Sequence, residues 1–181
     1  MTLNRAFFDR DVVEVARDLI GANLSVDHVG GLIVETEAYH IDDAAAHSFS
    51  GHTRRNRSMF GRPGHAYVYR SYGLHWCFNI VCQTGCAVLV RAIEPKSGID
   101  LMMERRHTQN LYLLCAGPGR LSQALGVTSD QDGIDMLAWP FYLGPGTAGE
   151  IDQGRRIGIS KATDHAWRFG MKNSRFLSRK F

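Results

Sequence analysis

The fold is decided by one stretch of sequence, Leu32-Ile33-Val34-Glu35-Thr36-Glu37-Ala38-Tyr39. Its side chains alternate in type, as they do in a β-strand whose successive residues point to opposite faces. Glu35, Glu37 and Tyr39 therefore share one face of the predicted strand. Together with Leu24 to Val29, the stretch predicts a β-hairpin that turns at Gly30-Gly31.

Outward from this hairpin, the chain switches between helical and strand patterns. Apolar residues at helical spacing predict a helix from Asp11 to Ile20, and alternation predicts a second hairpin, Ala66 to Ser71 and His75 to Cys82, with its turn at Tyr72-Gly73-Leu74. The other predicted elements are a strand at 87–93, helices at 97–107 and 117–126, and short strands near 139–143 and 155–159. Residues 40–65 predict a long loop with a short helix at 42–47, and such loops are usually functional. We expect one α+β domain over residues 1–181.

The composition is typical of a globular protein with an apolar core. Hydrophobic residues make up 44% of the 181 residues and charged residues 22%, which argues against disorder and fibrous structure. The longest apolar runs, such as Ala87 to Val90, are far shorter than the roughly 20 residues of a membrane helix, so we expect no membrane partner. The first residues lack the apolar stretch of a secretory signal, and we therefore expect a cytoplasmic protein with its four cysteines reduced.

Basic residues are concentrated in two segments. Residues 44–93 contain six arginines and no acidic residue, and residues 153–181 contain eight basic residues and one acidic residue. Of the 21 basic residues in the chain, 17 are arginine, a side chain that binds phosphate in a bidentate manner. This distribution suits a polyanionic partner, although a solvated basic face is the commoner explanation of such clusters.

Six aromatic residues fall between Phe60 and Phe78, inside the first basic segment. Aromatic rings interleaved with arginine form a platform on which nucleic-acid bases stack. For Trp76 and Phe78 we instead expect packing in the core together with Ile80, and strand alternation places Cys77 and Asn79 on the opposite face. Tyr72 differs because it lies at the tip of the predicted hairpin, where there is little core to join, and exposed wedges of this kind enter a duplex and unstack a base step.

Glu37 is the candidate general base. A partly desolvated carboxylate beside Tyr39 can take a proton from an attacking nucleophile, whereas two glutamates on one strand more often face water. Arg91 lies within an otherwise apolar strand, where its charge must be paired. A Glu37–Arg91 ion pair is consistent with a catalytic role and with a structural one.

Histidines at positions 40, 47, 52, 65 and 75 lie near Asp42 and Asp43 and raise the question of a metal site. Their spacing matches none of the common metal-binding motifs, so we expect neither a metal nor a cofactor. The segment Gly117-Pro118-Gly119-Arg120 opens a predicted helix and could hold a phosphate through its amides, but a turn is the commoner explanation of such a segment and the one we favour.

Several motifs resemble the alkyladenine (3-methyladenine) DNA glycosylase family, in the form shared by bacteria and mammals rather than the helix-hairpin-helix enzymes. Most of the likeness lies in the first half of the chain, in the motifs Ile33 to Tyr39, Ala45 to Ser48, Arg55 to Phe60, Tyr67 to Tyr69, Tyr72-Gly73, Asn79-Ile80 and Leu89 to Pro95. The second half contributes Gly117-Pro118, Leu121, Gln123 to Leu125 and Arg156 to Gly158. The resemblance covers nearly the whole chain.

The resemblance implies a single compact α+β domain with a curved, mainly antiparallel sheet, flanking helices and a protruding hairpin that inserts into the minor groove of DNA. It also implies a monofunctional DNA glycosylase that flips alkylated or deaminated purines out of the duplex and hydrolyses the N-glycosidic bond in base excision repair. The partner would be double-stranded DNA containing damaged purines, and we expect a monomer.

The resemblance further implies roles for individual residues. Glu37 would deprotonate the attacking water, with Arg91 positioning the water and the carboxylate. Tyr72 would fill the gap that the flipped base leaves in the stack. The residues implied to hold the flipped base are Tyr39, His47 and Tyr69, which sandwich it, and Asn79, which sits against its minor-groove edge. Those implied to contact the DNA backbone are Arg55, Arg57 and Met59.

Two other functional classes remain open on the residues alone. A non-catalytic module that binds damaged DNA would keep the basic segments and Tyr72 but would not need Glu37. A metal-dependent hydrolase would instead use the histidines together with Asp42 or Asp43.

Overall fold

The computed structural model describes residues 3–147 and 149–181. The strands are β1 (Asn23–Val26), β2 (Val29–Tyr39), β3 (Ala66–Ser71), β4 (His75–Val81), β5 (Ala87–Ser97), β6 (Phe141–Gly144), β7 (Ile151–Gly154) and β8 (Arg168–Met171). The helices are α1 (Arg5–Phe8), α2 (Val12–Asp18), α3 (Ile99–Arg106) and α4 (Pro118–Leu125). Short 3-10 turns are found at Arg57–Phe60, Leu111–Leu113 and Ser129–Gln131.

The strands form one curled antiparallel sheet in the order β3-β4-β5-β2-β1-β6. Strand β2 is central: it pairs with β5 along most of its length, with β1 at its start and with β8 at its end. The pairing of β2 with β5 shifts register around Glu35, and irregularities of this kind often re-aim side chains beside active sites. The expected α+β fold with a mainly antiparallel sheet is confirmed.

The first hairpin forms, but the prediction that it turns at Gly30-Gly31 is wrong. The turn lies at Asp27-His28, whose φ angles of 50° and 67° are those that a two-residue hairpin turn requires. The two glycines lie inside β2, where a Cβ on Gly30 would stand 2.1 Å from a β1 carbonyl oxygen and one on Gly31 1.9 Å from a β5 carbonyl oxygen. The glycines therefore permit close approach of the strands rather than reversal of the chain.

The helices pack against the sheet and complete the core. Asp11 caps the start of helix α2: its side chain accepts hydrogen bonds from the amides of Val13 and Glu14. The helix buries Val12 and Val15. Helix α4 begins with Pro118, and it is terminated by Gly126, which follows Leu125 with a φ of 73°. The predicted helices at 11–20, 97–107 and 117–126 are thus confirmed, each slightly shorter than predicted.

Two local predictions are wrong. Residues 42–47 form turns instead of a helix, because the Asp43 carboxylate accepts a hydrogen bond from the Ala45 amide and is also paired with the buried Arg156. Residues 155–159 form a loop instead of a strand, because the Ile157 amide donates to the Glu37 carboxylate and not to a neighbouring strand. Both departures bring polar groups to the buried end of β2.

Among the described residues, no helix is both long enough and apolar enough to cross a lipid bilayer. The four cysteines are buried and carry free thiols.

Candidate active site

A cavity of 570 Å³ lies between strands β2 to β5 and the loops that contain His47 and Ile157. Of the ten site residues implied by the resemblance, eight line it: Tyr39, His47, Arg55, Met59, Tyr69, Tyr72, Asn79 and Arg91. Glu37 lies directly behind this wall, and Arg57 lies exposed on the adjoining 3-10 turn. The fold therefore brings together residues that are up to 54 positions apart in the sequence, from Glu37 to Arg91.

Glu37 is fully buried and hydrogen-bonded on both carboxylate oxygens. Oε1 accepts from the Ile157 amide at 2.7 Å, and Oε2 accepts from the Tyr39 hydroxyl at 2.9 Å and lies 3.2 Å from Arg91 Nη1. The structure excludes the alternative in which both glutamates of this strand face water, because Glu35 is fully buried as well. Of the roughly four acceptor positions of a carboxylate, about one on Oε1 is left for a further donor.

Arg91 is the cation between the two buried carboxylates. Its Nε lies 3.0 Å from Glu35 Oε1, while Nη1 faces Glu37. Burial by itself lowers the pKa of Arg91, but the charges of Glu37 and Glu35 more than offset burial and raise it. The predicted Glu37–Arg91 pair is present, and the guanidinium remains charged within the protein.

Aromatic rings form the cavity wall. The rings of His47 and Tyr69 meet edge to face with centroids 4.4 Å apart, and Tyr67 lies 5.5 Å from Tyr69. Tyr39 lines the same cavity, and the guanidinium carbon of Arg156 lies 4.7 Å from its ring centroid. Because Arg156 covers one face of Tyr39, a ligand ring can stack only on the opposite face.

These aromatic groups are held neutral. Burial lowers the pKa of His47, and the nearby charge of Arg55 lowers it further. Burial also raises the pKa of Tyr39 well above its usual value, aided by the Glu37 charge, and raises the pKa of Tyr67 and Tyr69. His47 Nδ1 lies 2.8 Å from the Tyr67 hydroxyl, which fixes the orientation of the imidazole. The wall therefore presents electron-rich rings without a charge of their own.

Asn79 lies on β4 and reaches the cavity between residues that build the core. Its Nδ2 donates to the backbone carbonyl of Tyr67 at 3.0 Å, so Oδ1 is the polar atom that remains for a ligand. As predicted from strand alternation, Phe78 and Ile80 pack in the core while Cys77 and Asn79 line the cavity.

The β3–β4 hairpin carries Tyr72 at its tip, where the side chain is 87% exposed. Tyr72 and Gly73 have φ angles of 49° and 69°, so the turn itself holds the tyrosine away from the sheet. Leu74 beside it is also exposed. The predicted position of an unsupported aromatic residue at the hairpin tip is confirmed.

The three residues implied to contact the DNA backbone are placed differently from one another. Arg55 and Arg57 are exposed, and Arg55 Nη2 donates to the carbonyl of Arg70 in β3. Met59 is only 2% exposed and packs with Tyr67, so its side chain belongs to the cavity wall and not to the outer surface. Its burial is explained by the amphipathic 3-10 turn Arg57–Phe60, which turns Met59 inward.

A second hollow lies next to the hairpin, between β4 and helix α4. Arg106 and Arg120 line it together with Gly117 at the start of α4. Burial lowers the pKa of Arg106, and the adjacent charge of Arg120 lowers it further. Two arginine side chains that line one hollow favour an anion between them.

Several residues of the site were not among the sequence-based candidates. Glu35 shares the Arg91 guanidinium, the Ile157 amide bonds Glu37, and Arg156 forms a fully buried ion pair with Asp43. Within the described chain, no group of three or more His, Cys, Asp or Glu side chains is arranged to hold a metal ion.

Comparison with known proteins assigns the chain to a family. The family described as methylpurine-DNA glycosylase matches residues 6–175. A protein of Agrobacterium fabrum named "Putative 3-methyladenine DNA glycosylase" is 58% identical over 98% of this chain and 92% of its own length. Proteins with the same name from Rhizobium meliloti and Nitrosospira multiformis are each 56% identical, over 100% and 96% of this chain and 98% and 92% of their own lengths.

The family resemblance read from the motifs is thereby confirmed. An identity above 50% over almost the whole length, together with a family match over residues 6–175, leaves no part of the site outside the comparison. This chain belongs to the methylpurine-DNA glycosylase family.

Proposed function

We propose that this protein is a DNA glycosylase that excises alkylated purines from double-stranded DNA by hydrolysing the N-glycosidic bond. Family membership supports the glycosylase activity and the DNA substrate. The observation that carries the proposal is the buried Glu37–Arg91 pair directly behind an aromatic cavity that opens beside an exposed tyrosine. The cavity would receive the flipped nucleobase, the tyrosine would enter the duplex and the carboxylate would activate water.

DNA would approach the face that carries the β3–β4 hairpin. Tyr72 would enter the stack where the damaged nucleotide leaves it, and stacking is worth about 1–3 kcal/mol per base. Flipping costs a few kcal/mol and is cheapest at a damaged or mispaired base. The exposed Arg55 and Arg57 on one side of the hairpin, and Arg106 and Arg120 on the other, would hold the phosphates.

The flipped base would lie between Tyr39 and the pair formed by His47 and Tyr69. Those two rings already touch each other, so a base does not fit between them. Electron-rich neutral rings attract a purine made cationic by alkylation, whereas a protonated histidine would repel it. The lowered pKa of His47 thus supports the choice of alkylated purines as substrates.

Hydrolysis would begin at Glu37. The available acceptor position on its carboxylate would take the proton of a water molecule as that water attacks the sugar, which develops positive charge as the base leaves. Arg91 and the Ile157 amide would keep the carboxylate in place during this step. General-base catalysis contributes about 10²–10⁴-fold to the rate, and orientation of the flipped nucleotide must supply the rest.

The same site supports hydrolysis without strand cleavage and a selection among purines. No lysine is found among the described residues that line the cavity, so no amine is available there for a Schiff base with the sugar. Asn79 would crowd the two-amino group of normal guanine, which adenine and hypoxanthine lack, so deaminated adenine would also be accepted. Since one chain holds every proposed element of the site, we further propose that it acts as a monomer.

A base-release assay on a panel of duplexes tests this proposal. Each duplex would contain one lesion: 3-methyladenine, 7-methylguanine, hypoxanthine or ethenoadenine. We expect release of at least one of these bases in the presence of a chelator, with no release from the undamaged duplex. Tight binding without release would identify a non-catalytic damaged-DNA-binding module, and release that the chelator abolishes would identify a metal-dependent hydrolase.

A further inference from the structure

The carboxyl-terminal segment returns to the buried side of the Glu37–Arg91 pair. The ring of Phe181 lies 3.9 Å from the guanidinium carbon of Arg168, and Arg168 Nη2 donates to the carbonyl of Arg179. Arg168 itself is buried on β8. These contacts hold Ser178, three residues before Phe181, against the sheet.

Ser178 contacts both Glu35 and Arg91. Its amide donates to Glu35 Oε2 at 2.5 Å and its hydroxyl donates to Glu35 Oε1 at 2.8 Å. The hydroxyl oxygen in turn accepts from Arg91, with Nη2 at 3.2 Å and Nε at 3.4 Å. A single hydroxyl thus uses its one hydrogen and its lone pairs to join the carboxylate to the guanidinium.

Glu35 and Glu37 compete for Arg91. Glu35 has a second cationic partner besides Arg91, because Arg168 Nε also binds its Oε1 at 2.8 Å. The guanidinium is planar and rigid, so fixing its Nε–Nη2 edge on Glu35 and Ser178 also fixes the direction of Nη1. Nη1 is the atom that faces Glu37, at 3.2 Å.

We propose that Ser178 is a positioning residue for base excision: its hydroxyl fixes the plane of the Arg91 guanidinium, so that Nη1 points at Glu37. This inference rests on the proposed function, because it assigns Ser178 to the reaction that Glu37 and Arg91 carry out. Ser178 is not among the described residues that line the cavity. Its hydroxyl therefore acts on the rate of the chemical step and not on the binding of DNA.

Single-turnover base release by Ser178→Ala and Ser178→Thr tests the inference. Without the hydroxyl, the Nε–Nη2 edge of Arg91 loses one of its two partners and keeps only Glu35. We therefore expect the rate constant to fall about tenfold or more, equivalent to about 1.4 kcal/mol of activation free energy. The dissociation constant for a duplex with an abasic-site analogue should stay within about twofold. Ser178→Thr restores a hydroxyl and should recover most of the rate.

Ser174→Ala is the matched control. Ser174 belongs to the same segment, and within the described residues its hydroxyl makes one local hydrogen bond, accepting from the Phe176 amide at 3.2 Å. We expect this variant to keep the rate and melting temperature of the unsubstituted protein. An unchanged rate in Ser178→Ala would overturn the inference. Equal losses in Ser178→Ala and Ser178→Thr, accompanied by a lower melting temperature, would also overturn it and indicate a purely structural serine.

The outcome separates this inference from the proposed function. If the unsubstituted protein releases no base from any lesion duplex, the proposed function fails and Ser178 has no reaction to serve. If that protein is active and Ser178→Ala is equally active, only the inference fails.

Discussion

Replacing Tyr72 by alanine separates DNA recognition from folding, because the side chain is 87% exposed at the hairpin tip. An exposed substitution away from the core changes the free energy of unfolding by less than about 0.5 kcal/mol. Alanine tolerates the φ of 49° at this position about as well as tyrosine does, so the turn should persist. For a domain of this size, we expect the melting temperature to change by less than about 2 °C.

The effect on binding should be much larger. Loss of one base–aromatic stack removes about 1–3 kcal/mol, which corresponds to about a fivefold to 150-fold rise in the dissociation constant. Fluorescence anisotropy with a labelled duplex that contains an abasic-site analogue measures this change. The salt concentration must be held constant, because phosphate contacts make the affinity depend steeply on salt.

Two further variants make the comparison strict. Tyr72→Phe keeps the ring and should bind nearly as well as the unsubstituted protein, since stacking does not need the hydroxyl. Tyr142→Ala removes another exposed tyrosine, 58% accessible on strand β6, and should leave binding unchanged. A sharp fall in melting temperature for Tyr72→Ala without loss of lesion binding would show that the tyrosine supports the fold and that our assignment of the wedge is wrong.

Three other predictions follow from the cavity. Borohydride should trap no covalent adduct with DNA, because no described lysine lines the cavity; a trapped adduct would refute hydrolysis by water alone. Asn79→Ser should raise the release of undamaged guanine while changing hypoxanthine release much less, because the shorter side chain no longer crowds the two-amino group of guanine. An unchanged ratio of guanine release to hypoxanthine release in a side-by-side assay would show that Asn79 does not exclude guanine. Burial lowers the pKa of His47 in the folded protein, whereas a histidine in the unfolded chain has a pKa of about 6.5. The unfolded chain therefore binds the proton more readily, and the free energy of unfolding falls as the pH drops below about 6.5. His47→Gln should therefore lose less stability between pH 7 and 5 than the unsubstituted protein, as measured by denaturant titration, and an equal loss in both proteins would refute this role of His47.

Local patterns in the sequence predicted the elements that carry the site. Alternation in β2 placed Glu35, Glu37 and Tyr39 on one face, and a charge inside an apolar strand predicted that Arg91 would be paired; both are present in the fold. Alternation in β4 likewise separated Asn79 from the core. These features depend only on neighbours along one strand, and for that reason they can be read from the sequence.

The features that the sequence did not predict depend on contacts between distant segments. Gly30-Gly31 has the composition of a turn, but the close approach of β1 and β5 decided the role of both glycines. The Ile157 amide reaches Glu37 across 120 positions and Ser178 reaches Glu35 across 143. Because neither contact has a local signature, the loop at 155–159 was predicted as a strand and the carboxyl-terminal serine was not singled out.

The role of Glu37 as general base is tested by single-turnover base release by Glu37→Gln, measured beside binding to a duplex with an abasic-site analogue. The amide keeps the shape of the side chain but cannot accept the proton of the attacking water, so we expect release to fall at least about 100-fold with binding nearly unchanged. Glu14→Gln, an exposed change on helix α2, is the control and should retain full release. Release by Glu37→Gln at more than a few per cent of the unsubstituted rate would contradict the assignment of Glu37 as the general base.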